Sequence, residues 1–241
     1  MLSPFNLPDG ILVLITDELS SPADFLLYRS FITHVKESKD SRTIILSVSE
    51  EIARWKAIAA KSNVNVSQLL DSKSLTFVDV LSHVQPRSDN SAPSSLRPIF
   101  DLVSTNIETT TAPLLVILDD IATLEWIGFE LLDITRFCRA LRGMCLKANA
   151  TLVIRHHLVT PDVPDDLFLH LLQICTYHLD VRPLSSGRSG SVSGAVALHV
   201  GPSTPLDADG VKLIPRSSAI QYRLTDTGPV FFDRGTAEGV L

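Results

Sequence analysis

Two adjacent carboxylates, Asp119 and Asp120, follow an apolar run at residues 114–118. An apolar strand that ends in acids is typical of the Walker B strand of P-loop ATPases, in which the acid holds Mg²⁺ directly or through water. A structural role is the alternative, because Asp often follows a strand and bonds the turning backbone. The remaining parts of a nucleotide site must decide between the two interpretations.

The loop that would bind the phosphates is missing. A Walker A motif needs glycines for close backbone approach, a lysine for the β- and γ-phosphates, and a Ser or Thr for the metal. No glycine occurs from residue 11 to residue 127, so neither Lys61 nor Lys73, each followed by a serine, lies in such a motif. We therefore interpret Asp119 and Asp120 as degenerate Walker-B-like residues, and we expect no enzyme activity, no cofactor and no metal.

The turn before the first predicted helix also disfavours an anion. A helix N-terminus binds phosphate through free N–H groups and the positive end of its dipole. Pro22 lacks an N–H, Ser21 is predicted to cap the helix, and Asp24 places a negative charge in the first turn, with Asp17 and Glu18 close by. We expect the isolated chain neither to bind ATP tightly nor to hydrolyse it.

Other reactive side chains do not form a known site. Cys138, Cys145 and Cys175 are too scattered for a disulfide framework or a zinc cluster, so we expect buried thiols. His156 and His157 are adjacent, and adjacent residues of a strand point to opposite faces, so the pair is not expected to share a metal. No hydrolase motif is present.

Apolar runs alternate with amphipathic segments over most of the chain. The predicted strands lie at residues 11–15, 43–48, 75–80, 114–118 and 151–154, and the predicted helices at residues 21–35, 50–61, 97–107, 129–147 and 166–175. This alternation predicts an α/β fold with a mainly parallel central sheet flanked by helices. Later strands at residues 177–181, 195–200, 220–224 and 230–232 are joined by Gly, Ser and Pro segments, which favours an antiparallel extension. Residues 1–241 are expected to form a single domain with exposed loops at residues 85–95 and 184–193.

Charge and hydropathy restrict the environment. The formal net charge of −6 argues against bulk attraction to nucleic acid, so any RNA contact must come from a local basic patch. The first apolar run, residues 11–15, is far shorter than the roughly 20 residues of a membrane span. We expect a soluble protein of the cytoplasm, with the nucleus as a second compartment, and no membrane partner.

Two segments carry a family resemblance. One is LLVILDDIATL at residues 114–124, followed by Gly128; the other is QYRL at residues 221–224, VFF at residues 230–232, then Gly235 and a terminal Val-Leu. With these motifs the chain resembles the sixth subunit of the Elongator complex, a RecA-like protein without nucleotide-binding motifs. The missing Walker A agrees with this resemblance.

The resemblance implies a role in an assembly. Members of this family form a hetero-hexameric ring with the fourth and fifth Elongator subunits, all of them RecA-like. The ring binds tRNA and assists the catalytic subcomplex in modifying the wobble uridine, with ATP affecting the hold on RNA. By this resemblance the chain is a non-catalytic subunit whose partners are those two subunits, the catalytic subcomplex and, through the ring, tRNA.

Arginines at two places could contact RNA or a partner. Arg136, Arg139 and Arg142 lie on a face of helix 129–147 different from its apolar stripe. The alternative is a solvated basic face that suits the C-terminal end of the helix dipole. Arg182 and Arg188 flank or lie in a Ser/Gly-rich hairpin, and the family resemblance suggests an RNA-contacting loop there, whereas composition alone fits a plain surface loop.

Further alternatives remain open from the sequence. Phe231 and Phe232 adjoin on a late strand, so one is expected in the core and the other against a partner, unless both pack in a sheet covered on two faces. The chain could also be a RecA-fold ATPase subunit whose nucleotide site a neighbour completes. A non-catalytic subunit could still donate Arg54, Arg136 or Arg155 in trans to the ATP site of a neighbour. A pure assembly scaffold is the third alternative.

Overall fold

The computed structural model describes residues 4–84, 95–108, 112–184, 192–205 and 210–233. The strands are β1 (Leu12–Glu18), β2 (Arg42–Ser47), β3 (Leu75–Asp79), β4 (Leu114–Asp119), β5 (Thr151–Leu158), β6 (Tyr177–Arg182), β7 (Gly194–Val200), β8 (Ile220–Thr225) and β9 (Gly228–Phe232). The helices are α1 (Asp24–Glu37), α2 (Ile52–Lys61), α3 (Val66–Asp71), α4 (Val80–His83), α5 (Arg97–Glu108), α6 (Ala122–Trp126), α7 (Leu131–Lys147) and α8 (Asp166–Ile174), and a 3₁₀ turn covers Arg216–Ser218.

Within these ranges nine strands form one sheet in the order β3-β2-β4-β5-β1-β6-β7-β8-β9. In this order the first six strands, β3, β2, β4, β5, β1 and β6, are parallel to one another. Strands β7, β8 and β9 each pair antiparallel with the strand before them. Parallel strands need crossovers, and the helices supply them. The predicted parallel sheet with an antiparallel extension is therefore confirmed.

Helices cover both faces of the parallel strands, and the strand side chains alternate between two cores. In β1, Leu12 and Leu14 join the core that holds the apolar faces of α5, α7 and α8, whereas Val13 and Ile15 join the core under α1 and α2. All seven residues of β1 are buried. A strand buried on both faces has no polar alternation, which explains its continuous apolar sequence.

Three differences from the sequence prediction bear on the site. Helix α1 begins at Asp24, so Ser21 and Pro22 lie in the preceding turn. Strand β5 continues past Ile154 to Leu158. Helix α6, which was not predicted, begins at Ala122, after Asp120 and Ile121, and ends at an exposed tryptophan, Trp126.

Some predicted features lie outside the described residues. They include most of the two expected loops, together with Arg188, Gly235 and the terminal Val-Leu. Within the part of the chain that is described, no helix is long and apolar enough to cross a membrane.

Candidate functional site

Strands β1, β4 and β5 bring four charged or titratable side chains together at their carboxyl ends. The parallel register pairs Ile15 with Arg155 and Asp17 with His157 across β1 and β5. On the other side of β5, β4 ends in Asp119. The carboxyl edge of a parallel sheet is where open α/β proteins bind ligands, so this cluster is the candidate site.

Asp17 is the centre of the cluster and is fully buried. Its Oδ2 accepts the backbone N–H of Ala23 at 2.6 Å and the Arg155 Nε–H at 3.0 Å. Its Oδ1 lies 3.0 Å from Nδ1 of His157. The chain's own carboxylate thus occupies the N-terminus of α1, where a bound phosphate would have to lie.

The turn between β1 and α1 uses its own backbone amides. The N–H of Ser21 donates to the carbonyl of Glu18 at 2.9 Å, Pro22 has no N–H, and the N–H of Ala23 is bound to Asp17. These three residues therefore leave no amide for an incoming anion. The carboxylate of Asp17 thus lies at the residue that precedes the first turn of α1, a position for which the sequence predicted the hydroxyl of Ser21.

Ser21 fixes this turn against the antiparallel part of the sheet. Its Oγ lies 2.7 Å from the hydroxyl of Tyr222 in β8, and both residues are buried. A Cβ at Gly194 in β7 would lie 2.5 Å from the Ser21 Oγ and 2.8 Å from the Tyr222 hydroxyl. The predicted capping role of Ser21 is wrong because its hydroxyl is engaged with the C-terminal strands.

Asp119, the first of the two Walker-B-like acids, also has both carboxylate oxygens engaged. Oδ1 accepts from Nη1 of Arg155 at 3.2 Å, and Oδ2 accepts from the hydroxyls of Ser49 at 3.0 Å and Ser47 at 3.3 Å. Burial raises the pKa of Asp119 to about 6, while Arg155 and Ser49 act in the opposite direction. At neutral pH the group is an internal ion-pair partner.

Asp120 adopts an unusual backbone conformation, with φ of 53°. One carboxylate oxygen accepts the hydroxyl of Thr123 at 2.9 Å, which fixes the start of α6. The other oxygen, Oδ1, is buried and has no hydrogen-bond partner among the described residues. Such an orphaned acceptor costs about 1–3 kcal/mol unless something outside the described chain satisfies it.

Arg155 joins the two buried carboxylates. Its side chain is only 10% exposed and bridges Asp17 and Asp119. Burial is the largest single effect on the pKa of Arg155 and lowers it. The charges of the two acids together outweigh burial, so the pKa of Arg155 is raised. Because the guanidinium is committed to its own chain, Arg155 is removed from the candidates for donation in trans. Arg54 and Arg136 have exposed side chains and stay in that set.

The two adjacent histidines have separate carboxylate partners, Asp165 for His156 and Asp17 for His157. The hydrogen bond to Asp17 raises the pKa of His157, and burial acts against it. Nε2 of His156 lies 2.8 Å from Asp165, which also caps α8 by accepting the N–H of Phe168 at 2.7 Å. Among the described residues no group of His, Cys, Asp or Glu could hold a metal ion.

A second charged cluster, which the sequence did not reveal, centres on Asp180 in β6. This buried carboxylate pairs with Arg182 at 3.0 Å and with Arg216 at 2.6 Å. Arg182 also pairs with Asp162. Asp162 and Asp180 offset much of the positive charge of Arg182. The predicted contact of Arg182 with RNA or a partner stays a prediction.

The predicted apolar stripe of α7 is confirmed, since Ile134, Cys138, Leu141 and Cys145 are buried. The three arginines of α7 lie along a different side of the helix. Arg136 and Arg139 are exposed and Arg142 is half-buried. Arg139 donates to Gln173 of α8 at 3.4 Å, and the charge of Arg142 lowers the pKa of Cys175 against a larger rise from burial. The row therefore runs along the α7–α8 side, and its contact with RNA or a partner stays a prediction.

The paired aromatic residues of β9 differ in their surroundings. The ring of Phe231 contacts Phe5, Phe25 and Tyr222 at centroid distances of 5.8, 6.5 and 6.4 Å. It therefore packs against the core under α1. Phe232 is half-exposed, which leaves its predicted partner contact open.

Comparisons with known proteins identify the family of the chain. Residues 1–226 match the family described as "Elongation complex protein 6". The chain belongs to this family. Elongator complex protein 6 from Xenopus laevis is 24% identical, over 83% of this chain and 82% of that protein. The protein of the same description from Danio rerio is 23% identical, over 99% of this chain and 96% of that protein.

A solved structure shows the fold of this family member. A KaiC-like protein from Pyrococcus horikoshii superposes with a TM-score of 0.66 at 12% identity, over 93% of this chain and 90% of that chain. At this identity the likeness concerns the fold alone. The fold is RecA-like, as predicted.

Sequence reasoning missed the residues that complete the site. The sequence pattern points to Asp119 and Asp120 as acids after a strand, but it offers Arg155 only as a donor in trans. One signal was available: Arg155 directly follows a buried apolar run, a position where a charge needs a partner. The partners could not be read from the sequence, because they lie on two other strands.

Proposed function

We propose that this chain is a non-catalytic subunit of a hetero-hexameric ring, built with the fourth and fifth Elongator subunits, which supports tRNA binding and wobble-uridine modification by the catalytic subcomplex. Membership of the Elongation complex protein 6 family supports the place of the chain in that assembly. On this proposal the chain acts in the cytoplasm, and also in the nucleus where the complex is present there.

The observation that carries the non-catalytic part is the position of Asp17. A triphosphate at the N-terminus of α1 would have to displace a buried carboxylate from three donors. It would also lie near Asp119, and Arg155, which offsets the charge of Asp119, is already shared with Asp17. Two like charges in a low-dielectric site repel strongly, so binding at this point is disfavoured.

The assembly is tested by purification of the chain at its native expression level. Mass spectrometry of the co-purified proteins is expected to find the fourth and fifth Elongator subunits. Deletion is expected to abolish the Elongator-dependent modification of wobble uridine in total tRNA, measured by nucleoside mass spectrometry. Partners outside Elongator, together with intact modification, would refute the proposal.

The lack of nucleotide chemistry is tested separately on the isolated chain. Titration with ATP and Mg²⁺ by calorimetry is expected to give no binding in the micromolar range, and no phosphate release should be measurable. Micromolar affinity, or turnover that Asp119→Asn abolishes, would overturn this part. Turnover by the assembled ring that is lost in Arg54→Ala or Arg136→Ala of this chain would instead favour donation in trans.

A further inference from the structure

The carboxyl edge of the sheet carries four exposed apolar side chains: Leu19, Trp126, Val159 and Val163, with exposed fractions of 84, 57, 64 and 57%. Leu19 and Val159 directly follow the paired residues at the ends of β1 and β5. Trp126 and Val163 line the same small pocket as Val159. Large apolar side chains grouped in this way mark interaction sites more often than singly scattered ones do.

This pocket has a definite size and chemistry. It has a volume of about 150 Å³, and a protein cavity of about that volume holds one benzene ring, so a single flat side-chain head group fits. We call this pocket the edge pocket. It is lined by Ala122, Glu125, Trp126, His156, His157, Val159, Thr160, Val163 and Asp165. The described lining residues include two carboxylates, Glu125 and Asp165, and no lysine or arginine.

The acids of the edge pocket differ in their availability. Asp165 is bound to His156 and to the start of α8. Glu125 is exposed and makes no ion pair with any described residue. Trp126 follows it in the chain and stands edge-on to the ring of His157, with centroids 6.2 Å apart. A carboxylate beside an exposed indole is a favourable place for a cation, because the ring face and the acid both attract it.

The wider edge is acidic as well. Asp120, whose orphaned Oδ1 is buried, lies close enough for its charge to raise the pKa of His157. Glu18 and Asp162 lie at the same edge, and the arginines there, Arg155, Arg182 and Arg216, are each held in an ion pair with a carboxylate of the chain. Phosphate groups of RNA are disfavoured on such a surface, whereas a basic side chain of another protein is attracted to it.

We propose that the edge pocket receives an arginine side chain from a neighbouring protein chain, stacked on Trp126 and paired with Glu125. An arginine fits better than a lysine, since a planar guanidinium can stack on an indole and pair with a carboxylate at the same time. The surrounding Leu19, Val159 and Val163 exclude water from the contact. This inference rests on the proposed function, which supplies the neighbours: the fourth and fifth Elongator subunits.

The test is assembly of co-expressed subunits. Trp126→Ala and Glu125→Lys are each expected to weaken the complex of this chain with the fourth and fifth subunits at least tenfold, measured by native mass spectrometry and by interferometry of immobilised chain. Two matched controls, Val200→Ala at the end of β7 and Asp71→Lys on α3, change exposed residues away from this edge and are expected to assemble as the wild type does. Circular dichroism must show an unchanged unfolding temperature for every variant that is compared.

The outcomes separate the two proposals. If the wild-type chain assembles with neither subunit, the proposed function is wrong and this inference falls with it. If the wild-type chain assembles and both edge-pocket variants do so with unchanged affinity, the inference is wrong while the proposed function stands. A loss of tRNA binding by the variant rings without any loss of assembly would mean that the edge receives RNA, which also overturns the inference.

Discussion

Replacement of Asp17 by alanine tests the central electrostatic argument. The substitution removes a buried carboxylate on which three donors converge, from Ala23, Arg155 and His157. Arg155 then keeps Asp119 as its remaining close carboxylate partner. The cluster becomes an anion site without its anion, because the N-terminus of α1 and a buried guanidinium face the space that the carboxylate filled.

The expected loss of stability is large. Removing one partner of a buried ion pair costs about 3–5 kcal/mol, because the remaining charge stays desolvated. For a chain of this size that corresponds to a fall of roughly 6–20 °C in the unfolding temperature. Asp17→Asn keeps one acceptor oxygen and the shape of the side chain, so its loss should be smaller, about 1–3 kcal/mol.

Recovery by an external anion distinguishes this explanation from simple cavity formation. Sulfate at 100 mM should stabilise Asp17→Ala more than chloride does at equal ionic strength, and should not do so for the wild type. With a dissociation constant of about 10 mM the gain would be about 1.4 kcal/mol. Differential scanning fluorimetry measures it, with Asp71→Ala at an exposed carboxylate as the control. Unfolding of Asp17→Ala at the wild-type temperature, or stabilisation by sulfate in all variants alike, would refute the argument.

Three other consequences can be measured. Gly194→Ala places a methyl group against Ser21 and Tyr222, and it should lower the free energy of unfolding, measured by urea titration, by about 1–3 kcal/mol. Gly143→Ala on the open side of α7 should not destabilise the chain. Equal effects of the two substitutions would contradict the close packing of the β1–α1 turn. Burial lowers the pKa of His178 to about 4 in the folded chain, so the unfolded chain takes up the proton first and stability falls as the pH drops from about 6.5 towards 4. The loss at pH 5 is about 2 kcal/mol and should be smaller in His178→Gln, and an identical pH dependence in both proteins would exclude this cause. Burial raises the pKa of all three cysteine thiols to about 12, so iodoacetamide at pH 8 should label them only in denaturant, and rapid labelling of the native chain would show that they are accessible.

The parts of the fold that were predictable are those that a local pattern specifies. A strand buried on both faces has a continuous apolar sequence, and β1, β2 and β4 were placed within one to three residues for that reason. The prediction for β5 ended too early, because Arg155, His156 and His157 interrupt the apolar pattern while the backbone pairing with β1 continues. Short helices such as α6 have too few residues to show a periodicity, so they were missed.

The sequence by itself determined that this chain lacks the glycines and the lysine of a phosphate loop, and that acids surround the turn where such a loop would lie. These are properties of residue identity, and no tertiary contact can add the missing groups. Only the tertiary structure decided that Asp17 fills the anion position, that Arg155 is committed to two carboxylates of its own chain, and that Ser21 is fixed by Tyr222, which lies 201 positions away in the chain. The physical reason is that each of these contacts joins elements distant in sequence, and the register of parallel strands, which brings them together, is set by the packing of the whole sheet.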